Sequence, residues 1–142
     1  MTVRLAHLCF HTNRLEEMTA FYRETLGLPV KFELRLPDGR VFGRYFSLGK
    51  TSFLEIIDQA GAVEMWGGTA GIVAPKPYQN FQHFCLEIKR LDEYRAELVG
   101  RGLSVSEIKM GVDNSRQAWI KDPDGNDIEL MEYTDRSLQT TP

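Results

Sequence analysis

No stretch of this sequence is long and apolar enough to span a bilayer. Its first residues, MTVRLAHLCF, also lack the apolar core of a secretory leader. Those two absences set the expectation of a cytoplasmic protein with no membrane partner. Cysteine is scarce as well. Cys9 and Cys85 are the only two in 142 residues, which excludes a disulfide framework and suits a reducing compartment. Nor is there a surplus of positive charge: 17 Lys and Arg are scattered along the chain against 20 Asp and Glu. A nucleic-acid partner is therefore not expected. The remainder is ordinary for a globular protein, 42% apolar and 26% charged, in a length suited to one domain or two small modules sharing a core.

What is present is an ordered alternation of elements. Residues 3–11 alternate as a strand that puts Leu5, His7, Cys9 and His11 on one face. Thr12 or Asn13 is placed to cap a helix from Arg14 to about Leu26. Leu15, Met18, Phe21, Tyr22 and Leu26 fall at helical spacing, and Gly27 is the stop. Strands are expected over 30–36, 41–48 and 51–58, parted by Pro37-Asp38-Gly39 and Gly49-Lys50. This is a β-α-β-β-β module over residues 3–58. Residues 59–80 are rich in glycine, carry a lone Trp66, and read as a linker or binding loop. The first order then returns over 81–133: a strand to 88, a helix over 91–99 closed by Gly100 and Gly102, and strands over 104–109, 115–121 and 127–133. The polar tail, 134–142, is expected to fray.

Within this scaffold Glu129 is out of place. It follows the turn Asp122-Pro123-Asp124-Gly125-Asn126 and sits between Ile128 and Leu130, with Met131 beyond. An ionised carboxylate on such a strand is costly unless it is paired or bound to a metal. His7, Glu55 and His83 are similar polar intruders on apolar strands. The four are related by repetition. At an offset of 76 residues His7 falls on His83, Cys9 on Cys85, Arg14-Leu15 on Arg90-Leu91 and Glu16-Glu17 on Asp92-Glu93. Glu55 falls on Glu129 at an offset of 74. A repeat of this size argues for two equivalent modules about a pseudo-twofold axis, which could bring two imidazoles and two carboxylates to one point. His11, Glu87 and Glu132 have the wrong position or parity to join them.

The motifs LAHLCF, FYRETLGL, FLEII, FQHFCLEI and DPDGNDIEL, in this order over residues 3–133, resemble those of the vicinal oxygen chelate superfamily. That superfamily includes glyoxalase I, bleomycin-resistance proteins and extradiol dioxygenases. The resemblance implies an α+β fold in which two tandem βαβββ modules form a curved mixed sheet around a metal site, the whole chain making one such domain. It also implies one divalent ion (Ni, Zn, Co, Mn or Fe) on His7, Glu55, His83 and Glu129. Such a donor set suits a borderline ion with two adjacent positions left open for substrate oxygens. Cys9 and Cys85 are not ligand positions in the family and are expected to be small buried hydrophobes.

The activity implied is that of a glyoxalase-like lyase or isomerase acting on a small vicinal hydroxy-carbonyl substrate through a metal-stabilised enediolate. Glu129 would be the proton-transfer base, and Glu55, its repeat mate, could share that role. No counterpart of the bacterial glyoxalase glutathione-binding cluster is found between Ser104 and Arg116, so a glutathione adduct is one substrate candidate among several. A resistance-type binding protein and an Fe(II) dioxygenase are the alternatives. Four intact ligands weigh against both, and a fosfomycin-type thiol transferase does not require Glu55. Phe53, Trp66, Phe81, Trp119 and Met131 are expected to wall the pocket, with Arg116 as a candidate grip for a substrate carboxylate or phosphate. A homodimer is expected, with the modules paired either within or between subunits.

Overall fold

The computed structural model describes residues 3–69, 71 and 81–141. The chain divides into two compact units, Met1–Pro75 and Lys76–Pro142, and each repeats the β-α-β-β-β order. In the first, β1 (His7–Thr12) leads to α1 (Leu15–Ala20), which continues as a π-helical turn (Phe21–Thr25). Then come β2 (Val30–Arg35), β3 (Val41–Ser47), β4 (Phe53–Asp58) and α2 (Gln59–Trp66). The second has β5 (His83–Glu87), α3 (Leu91–Gly100), β6 (Lys109–Met110), β7 (Arg116–Lys121) and β8 (Asp127–Glu132). Each unit has one four-stranded mixed sheet, ordered β1-β4-β3-β2 and β5-β8-β7-β6. The first and last strands of each module pair in parallel, and the other pairs are antiparallel. This is an α+β architecture. Among the described residues no helix is long and apolar enough to cross a membrane.

Each sheet has one face under its helix. In the first unit the fully buried Leu54, Ile56 and Phe46 alternate to that side and meet Met18 and Tyr22, with the Tyr22 and Phe46 rings 5.8 Å apart. Burying each such side chain contributes about 1.5–3 kcal/mol. In the second unit Ile128, Leu130, Ala118 and Ile120 play the same part with Leu91 and Leu98. Because registered strand neighbours share a face, the opposite faces are set too. His7, Cys9 and His11 align with Phe53, Glu55 and Ile57, and His83, Cys85 and Glu87 with Asp127, Glu129 and Met131.

Four local expectations differ from what forms. Residues 59–66 are helix, not loop. Asp58 caps α2 by accepting from the Gly61 N–H at 2.8 Å. Gly61 is there for close approach, since a Cβ would lie 2.3 Å from the Phe42 Cβ. Residues 70 and 72–80 of the expected linker lie outside the described residues. Neither Thr12 nor Asn13 caps α1: the N-cap is Arg14, without a side-chain bond. Thr12 Oγ1 instead accepts from the Arg14 N–H at 3.0 Å.

The third difference lies in the segment 104–108. It runs beside β7 but joins it through Ser106, whose hydroxyl accepts from the Trp119 N–H and whose own N–H donates to the Trp119 carbonyl. A side chain standing in for backbone breaks the regular ladder, which resumes only at Lys109. Finally, the tail is not frayed. The buried Ser137 bonds the Ser115 hydroxyl at 2.8 Å, and Leu138 donates to the Asp113 carbonyl at 2.9 Å.

Candidate metal centre

Two His–Glu pairs stand on the faces turned away from α1 and α3. His7 is opposite Phe53 in the register, and Glu55 is the next residue of β4 on that face. His83 and Glu129 repeat this one-step diagonal on β5 and β8. The diagonal is within reach of long side chains. His7 Nε2 lies 3.5 Å from Glu55 Oε2, and His83 Nε2 lies 3.3 Å from Glu129 Oε2. The carboxylates are shielded, their side chains 12% and 14% exposed, while the imidazoles are open at 46% and 39%.

That spacing fits a shared ion. Two ligands each about 2.1 Å from one metal lie roughly 3.0–3.4 Å apart, depending on the angle between them. The His83–Glu129 pair falls within that range and the His7–Glu55 pair just beyond it, so a small shift of the second lets each take neighbouring positions on one ion. Neither pair is a complete site, and among the described residues no group of three or more His, Cys, Asp and Glu is placed to hold a metal.

Each pair has an aromatic neighbour on the adjoining strand. Tyr45 is registered with Glu55 and Trp119 with Glu129. The Tyr45 ring meets His7 edge-on at 5.8 Å, and Trp119 meets His83 at 4.8 Å. The polar ends of the two rings behave differently. Burial, and then the neighbouring Glu55 carboxylate, push the Tyr45 phenol up to about 12. The Trp119 Nε1–H donates to Gln117 Oε1 at 3.1 Å and not to Glu129. Glu55 therefore has a phenol beside it where Glu129 has an indole. Sequence reasoning missed Tyr45, although the 74-residue offset that aligns the glutamates also aligns Tyr45 with Trp119.

Cys9 and Cys85 are exposed, which corrects the expectation of buried hydrophobes: they sit on the open faces, opposite Glu55 and Glu129. Even so, partial burial of each thiol among its neighbours, and then the adjacent glutamate, push both up to about 12. Neither is a preformed thiolate.

Among the expected pocket residues, Phe53 lies on the His7 face with its ring 6.3 Å from Tyr45. Trp119 and Met131 lie on the Glu129 face. Trp66 ends α2 and leans edge-on against Phe42 at 5.3 Å. Phe42 alternates to the side of β3 away from Tyr45. Phe81 is exposed and precedes β5. Of the side chains set aside, His11 Nδ1 is 2.7 Å from Gln59 Oε1, and Glu132 accepts from the Leu91 N–H at the start of α3.

Arg116 needs correction. It is registered with Glu132, on the helix-covered face opposite Glu129. Its guanidinium is spent on Glu132 at 2.5 Å and Asp92 at 2.7 Å. Arg116→Met is therefore expected to cost about 1 kcal/mol of stability with substrate affinity unchanged, which a thermal melt and a KM measurement check together. A raised KM with an unchanged melting temperature would return Arg116 to the substrate.

The family model for the glyoxalase/bleomycin resistance protein/dioxygenase superfamily matches residues 4–130. No curated protein matches the chain. Among solved structures, a glyoxalase family protein from Enterococcus faecalis is similar at 21% identity, covering 91% of this chain and 97% of that one, with a TM-score of 0.71. A lactoylglutathione lyase from Agrobacterium tumefaciens is similar at 22% identity, 92% and 94% coverage and a TM-score of 0.65. TnmS3, an antibiotic-binding protein from Streptomyces sp. CB03234, is similar at 22%, 94% and 98%, with a TM-score of 0.69. At these identities the likeness is one of fold, shared by an enzyme and a binding protein alike.

Proposed function

The chain belongs to the glyoxalase/bleomycin resistance protein/dioxygenase superfamily, and from that membership we propose a metal-dependent lyase or isomerase acting on a small substrate with neighbouring hydroxyl and carbonyl oxygens. The observation that supports it is the repeated His–Glu pair, 3.5 Å and 3.3 Å across, each spaced as two ligands of one ion. In this reading His7, Glu55, His83 and Glu129 together hold one divalent ion (Ni, Zn, Co, Mn or Fe) when the two pairs meet, within one chain or between the subunits of a cytoplasmic homodimer. A divalent ion so held supplies Lewis acidity, polarising a carbonyl and making the adjacent C–H acidic. Glu129, which receives no phenol hydrogen bond, takes the proton from that carbon and returns it to the neighbouring carbon or the opposite face. Glu55, with the Tyr45 phenol registered beside it, serves as ligand. Trp119 and Phe53 present apolar rings beside the pairs and limit water there.

One observation favours a second reading, small-molecule sequestration without turnover. Phe32 stacks on Tyr45 at 4.3 Å, and Phe32 is exposed; together they offer a flat surface to a planar ligand. Elemental analysis of protein purified without chelator, then reconstituted with each of the five metals, separates the two readings. About one ion per chain is expected, since each chain carries one copy of each pair. No bound metal after reconstitution would leave sequestration standing and remove the lyase.

A further inference from the structure

We infer that the cavity beside β6 and β7 is the subsite for the part of the ligand remote from the His83–Glu129 pair, and that it takes a flat anionic group gripped by Lys109. The inference takes its placement from the function proposed above but needs no bound metal.

The cavity has a volume of about 640 Å³, and its lining includes Ser106, Glu107, Lys109, Met110, Gln117 and Trp119. Trp119 belongs to both sites, since its ring also meets His83 at 4.8 Å. Trp119 is registered with Glu129 and Gln117 with Lys109, so these four side chains leave the sheet on one face. With strands about 4.8 Å apart and a rise of about 3.3 Å per residue, Lys109 stands roughly 12 Å from Glu129 along that face. A ligand seated at the His–Glu pair therefore reaches Lys109 only through a body that crosses the Trp119 ring.

The chemistry of the cavity walls is set by what is already paired. Glu107 is held by Arg95 at 2.9 Å, whereas Lys109 has no carboxylate partner among the described residues. Among the side chains lining the cavity the uncompensated charge is therefore positive, while the nearby Asp113 carboxylate is satisfied by the Ser115 N–H and the Gln139 amide. Trp119 has spent its one donor on Gln117, and Gln117 is in turn packed against Gly111, where a Cβ would fall 2.1 Å from Gln117 Nε2. The indole is thus fixed and offers only its apolar surface. Fixed aromatic wall and free ammonium together select a planar anion. The role that strand parity denies to Arg116 falls to Lys109.

The test uses metal-free, full-length protein and two dyes sharing one ring system: 8-anilinonaphthalene-1-sulfonate, which carries an anion, and neutral N-phenyl-1-naphthylamine. The sulfonate is expected to bind about fivefold more tightly than the neutral dye at low salt. In a Trp66→Phe background, energy transfer from Trp119 should report it. Lys109→Met should bring the sulfonate down to the level of the neutral dye and leave the neutral dye unchanged. Lys109→Arg should keep the preference, and Lys50→Met should not disturb it. Equal binding of both dyes to the wild type would overturn the inference, and so would a sulfonate preference that survives Lys109→Met. Because no metal is present, the dye result and the metal assay fail independently.

Discussion

Replacing Glu129 with glutamine is expected to lower turnover by about 10⁴-fold or more while a measurable share of the metal stays bound. Glutamine keeps the size of the side chain and one oxygen able to coordinate weakly, so the loss falls on the proton. General-base loss alone costs about 10²–10⁴-fold, and in the proposed site the carboxylate would also be a charge on the ion. Glu55→Gln is expected to cost far less, and the reason lies in the neighbouring strands. Glu55 has the Tyr45 phenol registered beside it, a hydroxyl placed to hold the carboxylate as a ligand. The indole at the matching position donates to Gln117 instead. The measurement is exchange of the substrate's α-proton with deuterated water, for wild type and both variants, alongside metal content. Unchanged exchange in Glu129→Gln would assign the proton to another group, with Glu55 the first to test.

The equivalence of the two places behind that prediction was legible in the sequence, whereas the pairing of each His with its Glu came from the strand register. An imidazole and a carboxylate recurring on apolar strands at offsets of 76 and 74 residues mark two equivalent places, and the structure puts His7 with Glu55 and His83 with Glu129. The turn over 122–126 was equally plain, and Asp122 closes it by accepting from the Asp124 and Asn126 N–H groups. What failed depended on which side of a strand a residue leaves. Pairing Trp119 with Glu129 in an antiparallel hairpin turns only the odd-numbered residues of β7 toward Glu129, so Arg116 faces the helix. Proximity in sequence suggested the reverse.

Residues 59–66 misled for another reason. Glycine signals both freedom and close contact, and Gly61 is a contact with Phe42 that one sequence cannot distinguish from a loop. The tail hides its order in a single buried hydroxyl, that of Ser137. Tyr45 was missed because a tyrosine among strand aromatics looks like packing until the register sets it opposite Glu55.

Singly, His7→Ala and His83→Ala should each abolish stoichiometric metal binding and activity, because each removes a ligand from the only copy of its pair in the chain. Mixing the two inactive variants is more informative. Suppose each site joins the His7–Glu55 pair of one subunit to the His83–Glu129 pair of another. A mixed dimer then contains one site with both pairs intact and one with both broken. Co-refolded in equal amounts, half of the dimers are mixed, so about a quarter of wild-type metal and activity returns from two dead proteins. Sites closed within a chain stay broken in every combination, and the mixture remains inactive. Sedimentation of the wild type at micromolar concentration supplies the companion measurement. A monomer that binds one ion would rule out sharing between subunits and require the two pairs to meet within a single chain.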